Sequence, residues 1–330
     1  MGRWAVAALV PATILPLYLL SRGPARPMAN PPGTFSFAVL GDAPYYPWEE
    51  LQYRIVLQDT DAHELSWVLH VGDMFWRPCS DAKYLEHHAL LEGSSHPLVY
   101  TPGDNEWADC WEAATGAHAP LERLQRLREI YFDRAHRSLG GRSLELASQA
   151  DDPRYAEFVE NARWTHGDLV FATIHLVGSR NAREPFPGRT DADDAASRRR
   201  TDAAVAWLQG AFELARASSS AAVVLAFHAD PGLDQPADDP YRQAYEPFLT
   251  ELEREVARFG DPVLLVHGDE HEYTVDRPLR DRETGRRLEN FTRMRVPGSP
   301  RVGWVRVIVD PRSPRPFAFE ERVVPRWKYW

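Results

Sequence analysis

Acidic and imidazole side chains follow short apolar stretches at five places in this sequence. Three stretches end in Gly-Asp pairs, and their aspartates at positions 42, 73 and 104 are 31 residues apart both times. Later stretches end at a histidine and at the segment HGDEH, residues 267–271. Carboxylate and imidazole groups together suit divalent ions such as Mn²⁺, Fe²⁺ and Zn²⁺. The candidate metal ligands are therefore Asp42, Asp73, Asp104, His228, Asp269 and His271.

Helix capping is the ordinary alternative for each aspartate. An aspartate that follows a strand often caps the next helix, because its carboxylate accepts hydrogen bonds from the free backbone N–H groups of the first turn. Capping does not explain stretches that lead to His228 and His271. The set as a whole therefore favours metal binding.

The elements around the three Gly-Asp pairs predict a parallel sheet. Residues 34–40, 66–71 and 96–101 form strand-like apolar runs, whereas residues 48–57 and 81–91 have helical spacing. A 31-residue interval is close to the length of a βαβ unit, and ligands of parallel sheets gather beyond the carboxyl ends of the strands. We expect the three aspartates to face one crevice.

The rest of the chain continues the α/β pattern. The sequence predicts helices at 120–132, 200–217 and 245–259, a loop at 140–152, a hairpin at 163–177 that forms an insertion or a sheet edge, strands at 221–227 and 263–266, and an antiparallel continuation at 302–309 and 317–324.

The N-terminus has the pattern of an export signal. Arg3 precedes an apolar run from Trp4 to Leu20, which has the length of a secretory signal core and is short for a membrane span. No clean cleavage motif follows, so residues 1–29 are either a cleaved signal peptide or a signal anchor, and residues 30–330 form the functional domain. We expect export to a periplasmic or extracellular location, with membrane contact only through an uncleaved anchor.

The net charge limits the possible binding partners, and the cysteines indicate the cellular compartment. The formal net charge of −10 argues against a nucleic-acid partner, because such binding is built from clustered Lys and Arg. The two cysteines, Cys79 and Cys110, each follow a Gly-Asp aspartate by six residues. Matching offsets predict neighbouring loops and, in an oxidising compartment, a disulfide. Two free buried thiols are the alternative.

The ordered motifs resemble those of the calcineurin-like metallophosphoesterases, from Asp42 to His271. The resemblance implies a four-layer α/β/β/α sandwich with mixed sheets and two divalent ions that share Asp73 as a bridge. It further implies that Asp42 and His271 serve one ion, and that a metal-activated hydroxide hydrolyses phosphate mono- or diesters. The remaining candidates, Asp104, His228 and Asp269, would serve the other ion.

Several positions depart from the family pattern. Pro44 stands where the first motif has histidine, and Tyr45 or Tyr46 is a candidate substitute. Trp76 replaces an acid of the second motif. In the third motif Asp104 replaces an asparagine ligand and Asn105 replaces a histidine that aids the reaction. Asn105 can donate a hydrogen bond to the substrate but cannot release a proton near neutral pH.

These departures make the predicted site rich in oxygen. Asp269 also replaces a histidine, so the expected ions shift toward Mn²⁺, Mg²⁺, Fe or Ca²⁺, with Zn²⁺ less favoured. The motif combination GDxPY, GDNEW and HGDxH resembles a bacterial branch of the superfamily. The partner is then a small phosphate ester. Two alternatives stay open: a metal-binding or interaction protein that has lost turnover, and a hydrolase with a single ion.

The other histidines have simpler interpretations. His267 and His271 do not form a zincin pair, because Gly268 stands where that motif needs glutamate. His267 is expected in the core or behind the metal ligands. His175 is either a core residue or a substrate contact, and His87 and His88 are expected on a solvated helix face.

Overall fold

A computed structural model describes residues 27–324 of the chain, and two mixed β-sheets form its centre. The predicted export segment at residues 1–29 lies almost wholly outside the described residues. The strands are β1 (Phe35–Leu40), β2 (Val68–His70), β3 (Leu98–Tyr100), β4 (Ala147–Ser148), β5 (Ala162–His166), β6 (Leu169–Thr173), β7 (Ala222–Ala226), β8 (Val263–His267), β9 (Thr274–Asp276), β10 (Phe291–Arg295), β11 (Gly303–Val309) and β12 (Phe317–Val323).

Five helices and one short turn accompany the strands. They are α1 (Pro47–Asp61), α2 (Asp81–Glu92), α3 (Pro120–Tyr131), the five-residue turn α4 (Gly178–Ala182), α5 (Asp191–Ala217) and α6 (Glu246–Phe259). Short 3-10 turns cover Gln149–Asp151 and Arg242–Ala244. Within residues 27–324 no helix has both the length and the apolar character that crossing a membrane requires.

The first sheet has the strand order β12-β11-β1-β2-β3 and the second has β4-β5-β6-β7-β8-β10-β9. Strands β1, β2 and β3 are parallel, and β11 and β12 extend that sheet antiparallel. Strands β6, β7, β8 and β10 are parallel in the second sheet. The predicted hairpin is β5 with β6, and β4 and β5 form the edge of that sheet.

Alternating side chains of β1 show how the layers form. Phe37 and Val39 point between the two sheets, whereas Ala38 and Leu40 point toward the helices. The layer between the sheets is dense with aromatic rings: Phe37 stacks on Trp67 at 5.4 Å between centroids, and Trp67 meets Phe171 edge to face at 4.8 Å. Such contacts fix the spacing of the two sheets.

Helices cover the outer face of each sheet. Helices α1, α2 and α3 pack on the first sheet, through side chains such as Val56, Tyr84 and Leu127. Helices α5 and α6 pack on the second, through side chains such as Phe212 and Phe248. Three separate cores therefore divide four layers, which confirms the predicted α/β/β/α sandwich.

One helix begins earlier than the sequence suggests. Helix α5 begins at Asp191 rather than at residue 200, because Thr190 and Asp193 form a capping box. The backbone N–H and hydroxyl of Thr190 both donate to Asp193 Oδ2, at 2.8 and 2.7 Å. The first two turns contain only alanine and polar residues, so apolar periodicity could not detect them.

Candidate metal centre

Strand ends of both sheets meet at one edge of the sandwich. The loops after β1, β2 and β3 carry Asp42, Asp73 and Asp104 from the first sheet. The loop after β7 carries His228, and the loop after β8 carries Asp269 and His271. The backbone N–H of Asp269 donates to Asp42 Oδ1 at 2.9 Å, which joins the two sheets at this edge.

The ligand atoms form two groups that share one imidazole. Asp42, Asp73 and His228 form the first group, and Asp104, His228 and Asp269 form the second; in each, all ligand atoms lie within 4.8 Å of one another. His228 Nε2 lies 2.9 Å from Asp104 Oδ1 and 3.4 Å from Asp73 Oδ1. The second group is the ligand set that the resemblance implies for one ion. The first group differs from the set implied for the other ion, because it contains His228 in addition to Asp42 and Asp73.

His271 lies at the outer side of the first group. Its Nε2 atom is 3.7 Å from Asp42 Oδ1, and its side chain is 30% exposed. It therefore adjoins Asp42, as the resemblance implies, but its ligand atom does not belong to either group.

Both imidazoles direct Nε2 toward carboxylates. The Nδ1 of His228 lies 2.9 Å from the carbonyl of Val71, and the Nδ1 of His271 lies 2.8 Å from the carbonyl of Ser299. A carbonyl only accepts, so Nδ1 carries the proton in each ring. The neutral ring then offers the Nε2 lone pair, which is the arrangement of a metal-ligating histidine.

Buried ligand atoms face one another or have no partner among the described residues. Asp42 Oδ2 has no hydrogen-bond partner, and Asp104 Oδ1 and His228 Nε2 face each other at 2.9 Å. Buried polar atoms are nearly always partnered in folded proteins, and a cation held between these side chains would supply the partner. The donor set of aspartate oxygens and one imidazole nitrogen fits a hard or borderline divalent ion.

Crowding of carboxylates changes their protonation in the metal-free protein. Burial, helped by neighbouring carboxylates, raises the pKa of Asp42 to about 7 and that of Asp269 to about 7. Burial acts to lower the pKa of His228, but the facing carboxylates of Asp73 and Asp104 raise it well above its ordinary value. A divalent cation would replace these protons.

We expect a pH signature in the metal-free protein. The raised pKa of Asp42 means that the folded state binds more protons than the unfolded state between about pH 4 and pH 7, so this group's contribution to stability falls as pH rises. Urea denaturation of the metal-free chain and of Asp42→Asn should therefore show the wild type losing stability relative to the variant over that range.

Metal binding should have the opposite pH trend. Since the cation displaces protons, Mn²⁺ should stabilise the wild type more at pH 7.5 than at pH 5. The same stabilisation by Mn²⁺ at both pH values, or a stability difference from Asp42→Asn that does not change with pH, would contradict the proton-linked cation site.

Most of the ligand-bearing residues have left-handed backbone conformations. The φ angles are 54° at Asp42, 55° at Asp73, 76° at Asp269 and 59° at His271. Positive φ is uncommon for residues with a side chain, and such residues cluster at functional sites. Four of the six candidates therefore share a backbone feature that the sequence does not reveal.

Glycines let the carboxylates approach the backbone closely. A methyl group at Gly103 would lie 2.0 Å from Asp73 Oδ1. A methyl group at Gly178 would lie 2.6 Å from Asp104 Oδ1 and 2.7 Å from Asp269 Oδ1. The Gly-Asp pairs and the turn α4 thus provide space for the ligands.

Tyr45 contacts the candidate ligands, and Tyr46 does not. The hydroxyl of Tyr45 donates to Asp73 Oδ2 at 2.6 Å and lies 3.2 Å from His271 Nε2. Tyr46 instead stacks on Trp48. The sequence alone does not choose between them, because adjacent residues of a loop give no periodicity.

Other polar residues that support the ligands escaped the sequence analysis. The buried carboxylate of Glu106 accepts the N–H groups of Met74 at 2.7 Å and Gly103 at 3.0 Å, which ties two ligand loops together. The hydroxyl of Ser179 lies 3.0 Å from Asp104 Oδ2. The hydroxyl of Tyr241 donates to Asp269 Oδ2 at 3.1 Å. Of these, only Glu106 had a signal, as the residue after Asn105.

Asn105 lies among the ligands, with its backbone N–H donating to Asp73 Oδ1 at 3.1 Å. The residue is 9% exposed, at the inner wall of the site. Its proposed contact with a substrate remains a prediction.

Three other histidines belong to the core. His175 is fully buried, with Nδ1 2.6 Å from Glu160 Oε1, which fits its interpretation as a core residue. His267 is fully buried beside Phe227, as expected. The expected solvated position of His87 is wrong: the ring is fully buried against Phe75, and its Nε2 lies 3.7 Å from Glu50 of α1. His88 is partly exposed.

The two cysteines form the predicted disulfide. Cys79 and Cys110 are bonded, with 5.7 Å between their Cα atoms, and the described residues contain no free cysteine. The bond joins the loops after β2 and β3, which carry Asp73 and Asp104. A disulfide between buried cysteines indicates an oxidising, non-cytoplasmic compartment.

Removal of this bond should destabilise the protein. The bond closes a loop with a sequence separation of 31, which corresponds to about 3 to 4 kcal/mol of unfolded-state entropy. We expect a loss of this size for Cys79→Ser/Cys110→Ser, measured by urea denaturation. Dithiothreitol should destabilise the wild type and leave the double variant unchanged; equal sensitivity of both proteins would contradict the prediction.

Comparison with known proteins finds structural similarity only. No protein-family model and no curated protein sequence matches the chain. Among solved structures, the structure of PhoD has a TM-score of 0.54 at 14% identity, covering 90% of this chain and 70% of that chain. TT1561 of Thermus thermophilus has a TM-score of 0.44 at 11% identity, covering 87% of this chain and 99% of that chain.

A 5'-nucleotidase from Candida albicans has a TM-score of 0.41 at 10% identity, covering 85% of this chain and 48% of that chain. At these identities only the similarity to PhoD bears on the fold. It shows that this chain shares the fold of PhoD, in agreement with the α/β/β/α sandwich that the motifs predict.

Proposed function

We propose that this chain, which has the calcineurin-like fold, is an exported metal-dependent hydrolase of phosphate mono- or diesters. The observation that carries the proposal is the pair of overlapping ligand groups, Asp42-Asp73-His228 and Asp104-His228-Asp269, at the strand ends of both sheets. Two divalent ions bound there would polarise the phosphoryl oxygens and lower the pKa of a bound water.

The chain's own residues hold and orient this site. Asp73 belongs to the first group, where its carboxylate lies 3.4 Å from the shared His228 and accepts from Tyr45 and from the backbone of Asn105. It is proposed as the ligand that both ions share. Tyr241 holds Asp269, and Glu106 ties together the loops that carry Asp73 and Asp104. Asn105 is proposed to donate a hydrogen bond to the substrate. Because an amide does not release a proton near neutral pH, the reaction should favour leaving groups that need no protonation.

Export and the identity of the ion belong to the same proposal. The disulfide supports an oxidising compartment, and residues 1–29 are proposed as a signal peptide or a signal anchor that directs the chain to a periplasmic or extracellular location. The oxygen-rich ligand set favours Mn²⁺, Mg²⁺, Fe or Ca²⁺. A small phosphate ester, with no nucleic acid, is the proposed substrate.

The test is turnover of activated esters by the reconstituted chain. Metal-free protein would receive Mn²⁺, Fe²⁺, Zn²⁺, Mg²⁺ or Ca²⁺ and then 4-nitrophenyl phosphate or bis(4-nitrophenyl) phosphate, with bound metal counted by elemental analysis. We expect release of nitrophenol with at least one ion and a stoichiometry of two. Binding of one ion or none, without turnover under any condition, would support the metal-binding protein that has lost activity.

A single-ion hydrolase is the second candidate, since His271 lies outside both ligand groups. The Asp42→Asn variant distinguishes it. If this variant keeps the metal content and the rate of the wild type, the first group does not hold an ion that the reaction needs.

A further inference from the structure

Three aromatic side chains form a flat, partly exposed surface beside the metal centre. The rings of Tyr46 and Trp48 are stacked, with centroids 4.6 Å apart and planes inclined by 4°. Trp76 meets Tyr46 edge to face, with centroids 6.1 Å apart and planes inclined by 70°. The ring of Trp76 therefore stands at a steep angle to the stacked pair. We call Tyr46, Trp48 and Trp76 the aromatic corner.

Tyr46 and Trp48 are the exposed aromatic residues among residues 27–324. Trp48 is 53% exposed and Tyr46 is 37% exposed, whereas Trp67, Trp107 and Trp304 are at most 1% exposed. Large apolar rings left in contact with water on a soluble domain often mark a binding surface.

The corner is carried by the loops that carry metal ligands. Tyr46 follows Tyr45, whose hydroxyl donates to Asp73, and Trp76 lies three residues after Asp73. The buried carboxylate of Glu49 accepts the N–H groups of Tyr45 at 2.8 Å and Tyr46 at 3.3 Å. The segment that carries Tyr45 and Tyr46 is therefore fixed next to the metal centre.

Arg77 extends the flat surface and adds positive charge. Its guanidinium lies 4.1 Å over the ring of Trp76. No carboxylate among residues 27–324 lies within 4.0 Å of the guanidinium, so this contact with Trp76 is its principal one. A planar cation stacked on an aromatic ring suits a planar ligand that is attached to an anion.

We propose that the aromatic corner binds the leaving group of the substrate, and that the preferred leaving group carries a planar ring. The inference rests on the proposed phosphoesterase function and names a substrate class for it: phosphate esters of aryl alcohols or of nucleosides. Stacking on exposed aromatic side chains recognises both, because each presents a flat π-face. Continuity with the loops of Asp42 and Asp73 favours this occupant over a lipid surface or a second copy of the chain.

The first experiment measures binding without turnover. Calorimetry on the Mn²⁺-loaded chain would compare phenylphosphonate with methylphosphonate. We expect phenylphosphonate to bind about tenfold tighter, and Trp48→Ala and Trp76→Ala each to lose most of that preference. Leu85→Ala is the matched control, because Leu85 is 52% exposed on α2, a helix that carries no residue of the corner, and it should keep the preference.

The second experiment identifies the source of the ring. The ratios kcat/KM for phenyl phosphate, adenosine 5'-monophosphate and glycerol 2-phosphate would be compared in the wild type and in Trp48→Ala. We expect Trp48→Ala to lower kcat/KM for the preferred ring substrate about tenfold more than it lowers kcat/KM for glycerol 2-phosphate. The better of the two ring substrates shows whether an aryl group or a nucleobase is preferred.

The outcomes separate this inference from the proposed function. Turnover of phenyl phosphate with the same ring preference in the wild type and both tryptophan variants would show that the aromatic corner does not bind the leaving group. The proposed hydrolase function would be unaffected. Ring preference that depends on Trp48, without turnover of any ester, would overturn the hydrolase and support the corner as a ring-binding surface. Binding of neither phosphonate, together with no turnover of any ester, would overturn both.

Two further results would assign the corner to another occupant and overturn the inference. One is a wild-type dimer in sedimentation that Trp48→Ala dissociates. The other is binding to phosphatidylcholine vesicles that Trp48→Ala abolishes.

Discussion

Replacing Asp73 by asparagine should lower kcat/KM for an activated aryl phosphate by at least about three orders of magnitude, because each factor of ten corresponds to about 1.4 kcal/mol and loss of the metal contribution removes several kcal/mol. The Asp73 carboxylate accepts from the Tyr45 hydroxyl at 2.6 Å and lies 3.4 Å from His228 Nε2. An asparagine side chain has one acceptor oxygen and no charge, so it cannot replace the proposed bridging carboxylate. Metal content should fall below two ions.

The control for this variant is Asp168→Asn. Asp168 is an exposed aspartate in the turn between β5 and β6, far along the chain from any ligand loop, and the same chemical change there should leave the rate unchanged. Retention of both metal content and rate in Asp73→Asn would show that Asp73 is not a metal ligand that the reaction needs, and it would contradict the proposed mechanism.

Replacing Glu160 by glutamine should destabilise the fold by about 3 to 5 kcal/mol, the usual effect of removing one partner from a buried ion pair. Glu160 is fully buried and accepts from Arg128 at 2.6 and 2.9 Å, and its carboxylate lies 2.6 Å from His175 Nδ1. Burial alone would raise the pKa of Glu160, but Arg128 and His175 hold it well below its ordinary value.

The matched control lies three residues away. Glu157 pairs with Arg199 at 2.8 Å, but both side chains are nearly half exposed. Since exposed pairs contribute little, Glu157→Gln should change the free energy of unfolding by no more than about 0.5 kcal/mol. Equal effects of the two substitutions in urea denaturation would contradict the role assigned to the buried pair.

Acid should reduce the effect of the Glu160 substitution. The folded-state pKa is depressed, so the contribution of Glu160 is fully present above its unfolded value of about 4.3 and is lost as pH falls below that value. The difference in stability between wild type and Glu160→Gln should therefore shrink progressively below about pH 4.

Local sequence patterns were sufficient to predict the fold and most of the residues that meet at the candidate site. The apolar runs that precede Asp42, Asp73 and His228 each form a strand, because burial of alternate side chains between two layers requires that pattern. The equal offsets of Cys79 and Cys110 from neighbouring aspartates correctly predicted the disulfide.

Contacts between distant segments were not predictable in the same way. Glu106 meets Met74, 32 residues away, and Glu160 meets Arg128 across the same interval. Burial of His87 depends on how α1 and α2 pack, which no periodicity within α2 shows. Such pairings follow from the packing of whole elements, so they are visible only when the tertiary structure is known.

The left-handed backbone of the ligand loops has a consequence for engineering. A residue with a side chain held at positive φ costs about 1 to 2 kcal/mol, whereas glycine adopts that conformation freely. A selection for thermal tolerance alone should therefore recover glycine at positions such as Asp42, Asp73 and Asp269. Each of these replacements would remove a candidate metal ligand, so screens for robust variants of this protein must score catalysis at every round.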